Sequence, residues 1–171
     1  MDKKIVPTNV TYNSFILAQN LITLNRVFPF LNIQIAGTSV LGNPIYVVKL
    51  GNGPNHVFYS GSIHSNEWIT SVVLMRFIED YCNAYVKNEK LYNYSVRSLF
   101  KSSSIYIMPM VNPDGVDLVT GNLNTNSLAY KRANMIANNY SFVPFPDGWK
   151  ANIHGVDLKN YQPFSQSLIC T

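Results

Sequence analysis

Charge is scarce in this sequence. Asp, Glu, Lys and Arg make up 13% of its residues, where about 25% is usual. The surface must therefore be wetted largely by Asn, Ser, Thr and Tyr. Acids are scarcer than bases, 9 against 13, which leaves a formal charge of +4. The bases are scattered from Lys3 to Lys159, with no stripe of Lys and Arg interleaved with aromatics, so a nucleic-acid partner is not expected. No apolar run approaches the ~18 residues of a membrane span. The opening "MDKKIVPTNV" lacks the apolar stretch of a signal peptide. Cysteine occurs twice, at Cys82 and Cys170, in no motif spacing. That usage fits reduced thiols in a cytoplasmic protein, with a disulfide between them left open. No repeat, low-complexity tract or linker breaks the 171 residues, 47% of them hydrophobic. One domain spanning 1–171, with a sizeable core, is expected.

What is present reads as alternating helices and strands. "TYNSFILAQNLITLNRVFP" predicts a first helix, capped by Thr11 or Asn13, with Phe15, Ile16, Leu21, Leu24 and Val27 as its apolar stripe and Pro29 closing it. "NIQIAGTSV", the turn "LGNP" and "IYVVKLG" predict a hairpin over 32–50. After the turn "NGPN", the run "HVFYSG" reads as a buried strand. Residues 67–87 form the longest helical pattern, its turns marked by Ile69, Val72, Val73, Arg76, Phe77, Asp80 and Tyr81. "SVRSLFKS" predicts a short helix, "SIYIMPMV" a strand ending in the turn signal Asn112-Pro113-Asp114-Gly115, "SLAYKRANMIANN" a helix and "GVDL" a short strand. Helices alternating with apolar strands predict an α/β fold: a mixed, mostly parallel sheet flanked by helices. Ligand groups in such folds belong at the carboxyl ends of strands. His64, Asn112 and the residues after Leu158 fall at such ends.

One short stretch carries the chemistry. In "GSIHSNEWI", His64 and Glu67 stand three residues apart where a strand gives way to a helix. That spacing lets both heads converge on one point. An imidazole nitrogen and a carboxylate oxygen suit Zn²⁺ at ~2.0–2.2 Å, and a catalytic zinc takes three protein ligands and keeps one position open. Such a spacing also arises by chance, with Glu67 simply favoured at a helix start by the helix dipole. The motif alone leaves both readings standing.

"GSIHSNEW", "NPDGV" and "WKANIHGVDL" occur in that order. Together they resemble the zinc carboxypeptidase A family, the funnelins, whose pattern is G-x-H-x-x-E-W, then N-P-D-G, then W-x-x-N and G-V-D-L-N-R-N. The likeness runs from the first helix to about Phe164. Within the family, "GNGPNHVFYSG", "HSNEWITS" and "GWKANIHGVDL" are most similar to bacterial γ-D-glutamyl-L-diamino acid endopeptidases, which cut cell-wall peptides at the γ-D-Glu to diaminopimelate bond. The resemblance implies a carboxypeptidase-like (phosphorylase/hydrolase-like) fold and Zn²⁺ as cofactor, with His64 and Glu67 as its first two ligands. It implies that Lys150, after Trp149, takes the place of an arginine that polarises the scissile carbonyl, as a point charge instead of a fork. Asn112 and Asp114 would shape the turn beside the cleft, Asn112 on the substrate side and Asp114 as a plain turn residue. Lys159 and Asn160 occupy the place of an Asn-Arg pair whose arginine grips a terminal carboxylate. An uncharged Asn160 fits an endopeptidase better than C-terminal trimming. Lys159 either holds a carboxylate or is a solvated loop lysine.

The family's third ligand is a later histidine and its general base a glutamate later still. After Asp157 the chain offers no His, Asp or Glu, so it resembles the N-terminal portion of the family's catalytic domain. His154 and His56 read as a loop residue and a strand residue, not as substitutes. Two ligands alone predict weak zinc binding or none, and a shortened sheet predicts an exposed edge that favours homo-oligomers. Two functions follow. One is a zinc metallopeptidase acting on murein peptides. The other is a catalytically inactive remnant that binds peptides or oligomerises.

Overall fold

The computed structural model describes residues 4–140 and 142–159. Helix α1 spans Ser14–Val27 and starts at Asn13, whose Oδ1 accepts the Ile16 N–H at 2.9 Å. Its buried face is Leu17, Leu21 and Leu24 with Asn20. Phe15 and Val27, expected in the stripe, are exposed. The i, i+4, i+7 set starting at Leu17 wins the core, and Phe15 falls on the opposite side of the helix.

Strands β1 (Asn32–Thr38) and β2 (Pro44–Leu50) form the expected antiparallel hairpin, with a bulge between Ile35 and Gly37. Strand β3 spans Asn55–Ser60. A 3₁₀ turn, Ser65–Glu67, leads into helix α2, Ile69–Lys87, which stops where Asn88 turns left-handed at φ 57°. A two-rung hairpin, β4 (Lys90–Leu91) and β5 (Tyr94–Ser95), follows; its tip, Tyr92 and Asn93, has positive φ, and no strand was expected there. Helix α3 (Val96–Ser102) and strand β6 (Ser103–Met108) come next, then helices α4 (Pro113–Val119) and α5 (Leu128–Ala137).

The four-stranded sheet has the order β1-β2-β6-β3. It is mixed and flanked by helices, as expected, but it is not mostly parallel: β1/β2 and β2/β6 are antiparallel and β3/β6 alone is parallel. A tight hairpin forces reversal, whereas parallel pairing needs a long crossover. The described residues contain one such crossover in this sheet, β3 to β6 through α2 and α3. Strand β3 also departs from its buried expectation, because all six residues are exposed. It lies at the sheet edge among the described residues, and Val57 and Tyr59 are 39% and 50% exposed. Helix α2 buries Val72, Met75, Ile78 and Cys82 and leaves Ile69 and Val73 outside.

Two further expectations change. "NPDG" is not a free turn but the start of α4, with Asn112 at the N-cap and Pro113 at the first helical position. "GVDL" forms no strand among the described residues; 155–158 is turn and coil. A main core of α1, α2 and the sheet is accompanied by a smaller cluster in which Leu118, Ala133, Ala137, Trp149 and Ile153 pack together. That cluster seats the 149–153 segment against α4 and α5.

Candidate active site

The parallel ladder runs on past the ends of β3 and β6. Val111 N–H donates to Gly61 O at 3.0 Å and Asn112 N–H to Ser62 O at 3.1 Å. His64 and Asn112 thus emerge side by side at the carboxyl ends of the parallel pair. Between β3 and His64 the chain must turn sharply. Ser62 does this at φ 49°, a left-handed conformation that costs an ordinary residue about 1–2 kcal/mol. Its N–H donates to Thr70 Oγ1 at 2.8 Å, and its hydroxyl lies 2.6 Å from the Ser71 hydroxyl, which donates to Pro109 O at 2.6 Å. Those bonds hold the strained turn against α2 and β6.

His64 Nδ1 lies 2.9 Å from Glu67 Oε1. The two heads converge, as the spacing predicts. Two donors at about 2.1 Å from one tetrahedral zinc sit roughly 3.4 Å apart, so this pair must open by about half an ångström to share the ion. The other ring nitrogen, Nε2, faces Asp157 Oδ1 at 3.5 Å. His64 is mostly buried between two half-exposed carboxylates. A carboxylate behind a ligating histidine fixes ring orientation and tautomer. Sequence reasoning had not singled out Asp157; its one signal was its place in "GVDL".

The donor types fit two positions of a zinc site. Among the described residues no group of three His, Cys, Asp or Glu completes it. His154 has an exposed ring and uses its backbone N–H on Asn152 Oδ1. His56 sits in β3, edge-on to Tyr106 at 5.8 Å, at the far end of the strand from His64. Neither joins the pair.

Lys150 is brought to the site through its backbone. Its carbonyl accepts the Ser65 N–H at 3.2 Å, directly after His64, and its side chain is exposed. Trp149, buried, anchors the segment by donating Nε1–H to Asn152 O at 3.2 Å. Asn152 Oδ1 accepts the N–H groups of His154 and Val156, curling the loop that delivers Asp157. Lys159 is exposed, and its N–H donates to Asp157 Oδ1 at 2.9 Å. Asn160 lies outside the described residues.

Asn112 is 3% exposed. Its amide donates to Ala151 O at 3.0 Å and Ser65 Oγ at 3.1 Å, while Oδ1 accepts the Gly115 N–H at 3.1 Å. Every polar atom is committed to protein, so Asn112 reaches the cleft by holding its walls together. Asp114 is buried too. It accepts from Ser39 Oγ, Leu41 N–H and Asn43 Nδ2 at 2.6–2.9 Å, which ties the β1–β2 turn to α4. This is the structural role expected of it. Asp117 on the same helix accepts the Ser14 N–H and hydroxyl at the start of α1.

Comparison with known proteins agrees with this arrangement. The zinc carboxypeptidase pattern of the M14 peptidases matches residues 17–167. The chain is 35% identical over 160 residues, 94% of its length, to γ-D-glutamyl-L-diamino acid endopeptidase 1 of Lysinibacillus sphaericus. It is 40% identical over 139 residues, 80% of its length, to the uncharacterised protein YqgT of Bacillus subtilis. It spans 40% and 36% of the lengths of those two relatives. In fold it is similar to thrombin-activatable fibrinolysis inhibitor. One crystal structure gives a TM-score of 0.62 at 20% identity, covering 88% of this chain and 32% of that one. The bovine protein with tick carboxypeptidase inhibitor gives 0.58 at 21%, covering 85% and 38%. With the paired His64 and Glu67 and a pattern match over most of its length, the chain belongs to the zinc carboxypeptidase family.

Proposed function

We propose that this chain carries the first half of a zinc-peptidase active site that acts on γ-D-glutamyl-L-diamino acid bonds of murein peptides, in the cytoplasm. The observation that supports this best is the convergence of His64 Nδ1 and Glu67 Oε1 at 2.9 Å, in a chain 35% identical to such an endopeptidase over 94% of its length. His64 and Glu67 would hold the metal, and Asp157 would orient His64. Zinc at such a site supplies a polarised carbonyl and a water of near-neutral pKa. Lys150, exposed after Trp149, would steady negative charge on a carbonyl oxygen under attack. Lys159 and Asn160 would meet the far end of the substrate. Turnover needs a third ligand and a general base in addition to these groups.

A second reading rests on the two-donor set itself. Without a third ligand the cleft would bind peptides without cutting them, or pair with another chain through the exposed β3 edge. Metal analysis and hydrolysis separate the readings. The peptidase reading expects stoichiometric zinc in the folded protein, lost in His64→Ala, and cleavage of a γ-D-Glu-diaminopimelate peptide. Folded protein that takes up no zinc and binds the peptide intact would leave the binding module.

A further inference from the structure

Helix α5 presents two different faces. Its inner face is small and packed: Ala133 and Ala137 are buried against Trp149 and Ile153. Its outer face is neither small nor packed. Leu128 and Met135 are 64% and 63% exposed, and the exposed Lys131 and Arg132 lie between them at i+3 and i+4, which puts all four on one stripe. Just beyond the helix, Tyr140 and Phe142 stand in edge contact at 6.3 Å, with Phe142 82% exposed. Apolar side chains there contribute nothing to the core. No acidic residue lies between Asp117 and Asp147, so none on α5 itself offsets Lys131 and Arg132.

We propose that the outer face of α5, with Tyr140 and Phe142, docks this protein on an anionic lipid bilayer. The α5 stripe bears cations and protruding apolar groups together, with an exposed aromatic pair just past its end, the combination that seats a helix in the headgroup region: bases meet lipid phosphates and carboxylates while Leu, Met and Phe enter the acyl boundary. The apolar groups stand out from a convex helix. A fluid interface accepts such projections, whereas a rigid protein partner needs a matching pocket. The inner face meanwhile stays on Trp149, next to the carbonyls of Lys150 and Ala151 that bond Ser65. Docking therefore leaves the core packing and the candidate active site intact.

The test is co-sedimentation of the whole chain with phosphatidylcholine vesicles, with and without phosphatidylserine. Binding is expected with phosphatidylserine only, and salt should reverse it. Removing both cations, Lys131→Gln with Arg132→Gln, should weaken binding about 25-fold, from about fivefold for each charge. Phe142→Ser should weaken it by about tenfold. All three residues are exposed, so each variant should melt with the parent, which separates docking from folding. Equal binding to neutral vesicles, insensitivity to these substitutions, or capture of polyglutamate without capture of vesicles would each overturn the proposal.

Discussion

The side-chain amide of Asn112 donates to the carbonyl of Ala151, 39 residues further along the chain, at 3.0 Å. The same amide reaches Ser65, and the Ser65 hydroxyl donates to Ala151 O at 2.6 Å. Three segments distant in sequence meet at one buried amide: the His64 turn, the N-cap of α4 and the loop after Trp149. Their union sets Lys150 beside His64.

Replacing Asn112 with alanine should therefore loosen all three. Two buried acceptors and the Gly115 N–H lose their partner, a loss of about 2–4 kcal/mol. For a domain of this size that is a fall of about 5–15 °C in Tm, read by thermal melting. Asn112→Asp should not rescue it, because a carboxylate faces Ala151 O with no proton to donate. A melt unchanged in Asn112→Ala would contradict this account.

Gly115→Ala tests the same junction from the other side. An added Cβ would collide with Ser65 Oγ and with both terminal atoms of the Asn112 side chain. Overpacking of this kind costs about 1–3 kcal/mol. A backbone shift that absorbs the methyl should displace the His64 turn, so altered His64 resonances should accompany the lower Tm.

Asp114 fixes the hairpin without touching the metal pair. Asp114→Ala strands Ser39, Leu41 N–H and Asn43 around an empty site and should cost about 3 kcal/mol. Amide exchange at Leu41 should quicken, while the His64 and Glu67 resonances hold. Change confined to the latter would mean the assignment of roles is inverted.

Asp157 is expected to act behind His64. Asp157→Asn should lower zinc affinity by about 10–100-fold while leaving folding stability within ~1 kcal/mol of the parent, since the residue is half-exposed. Isothermal titration with zinc reads it directly. Unaltered affinity would remove Asp157 from the site.

Burial pushes the Cys82 thiol from an ordinary 9.0 up to about 12, and the Glu79 charge adds to the effect. Burial likewise raises the Tyr81 hydroxyl to about 12. Both groups stay neutral in the folded chain and ionise once it unfolds. Their stabilisation is whole below their unfolded pKa values and fades as pH climbs through 9 and 10 toward 12. The slope approaches about 1.4 kcal/mol per pH unit for Cys82. Urea melts at pH 8 and 10 should differ in that direction, and Cys82→Ala should flatten the lower part of the decline. Iodoacetamide at pH 8 should spare Cys82 until denaturant is added, read by peptide mass.

Local features were legible in the sequence because they answer to local rules. Asn13 caps α1, the 32–50 hairpin forms, and His64 meets Glu67 because three residues of a turn bring them together. Errors came where a pattern fits two neighbours equally well. Phe15 and Leu17 are both apolar, and only the body against which α1 packs chooses between them. The "HVFYSG" run has the composition of an interior strand, yet its burial depends on what lies on either side. Asp157 was invisible as a partner of His64 because 93 positions separate them, and only the loop built on Asn152 brings them together.

Sequence by itself determined the chemistry available: a histidine and a glutamate in register on one turn, a lysine after Trp149, no acid or histidine beyond Asp157, and a family whose order of motifs this chain repeats. Tertiary structure alone decided which groups meet. It spent Asn112 on three loops, set Asp157 behind His64 and turned Leu128 and Met135 outward. The physical reason is range: turn geometry and capping act over a few residues, while burial and long-range hydrogen bonds exist only once distant segments have packed.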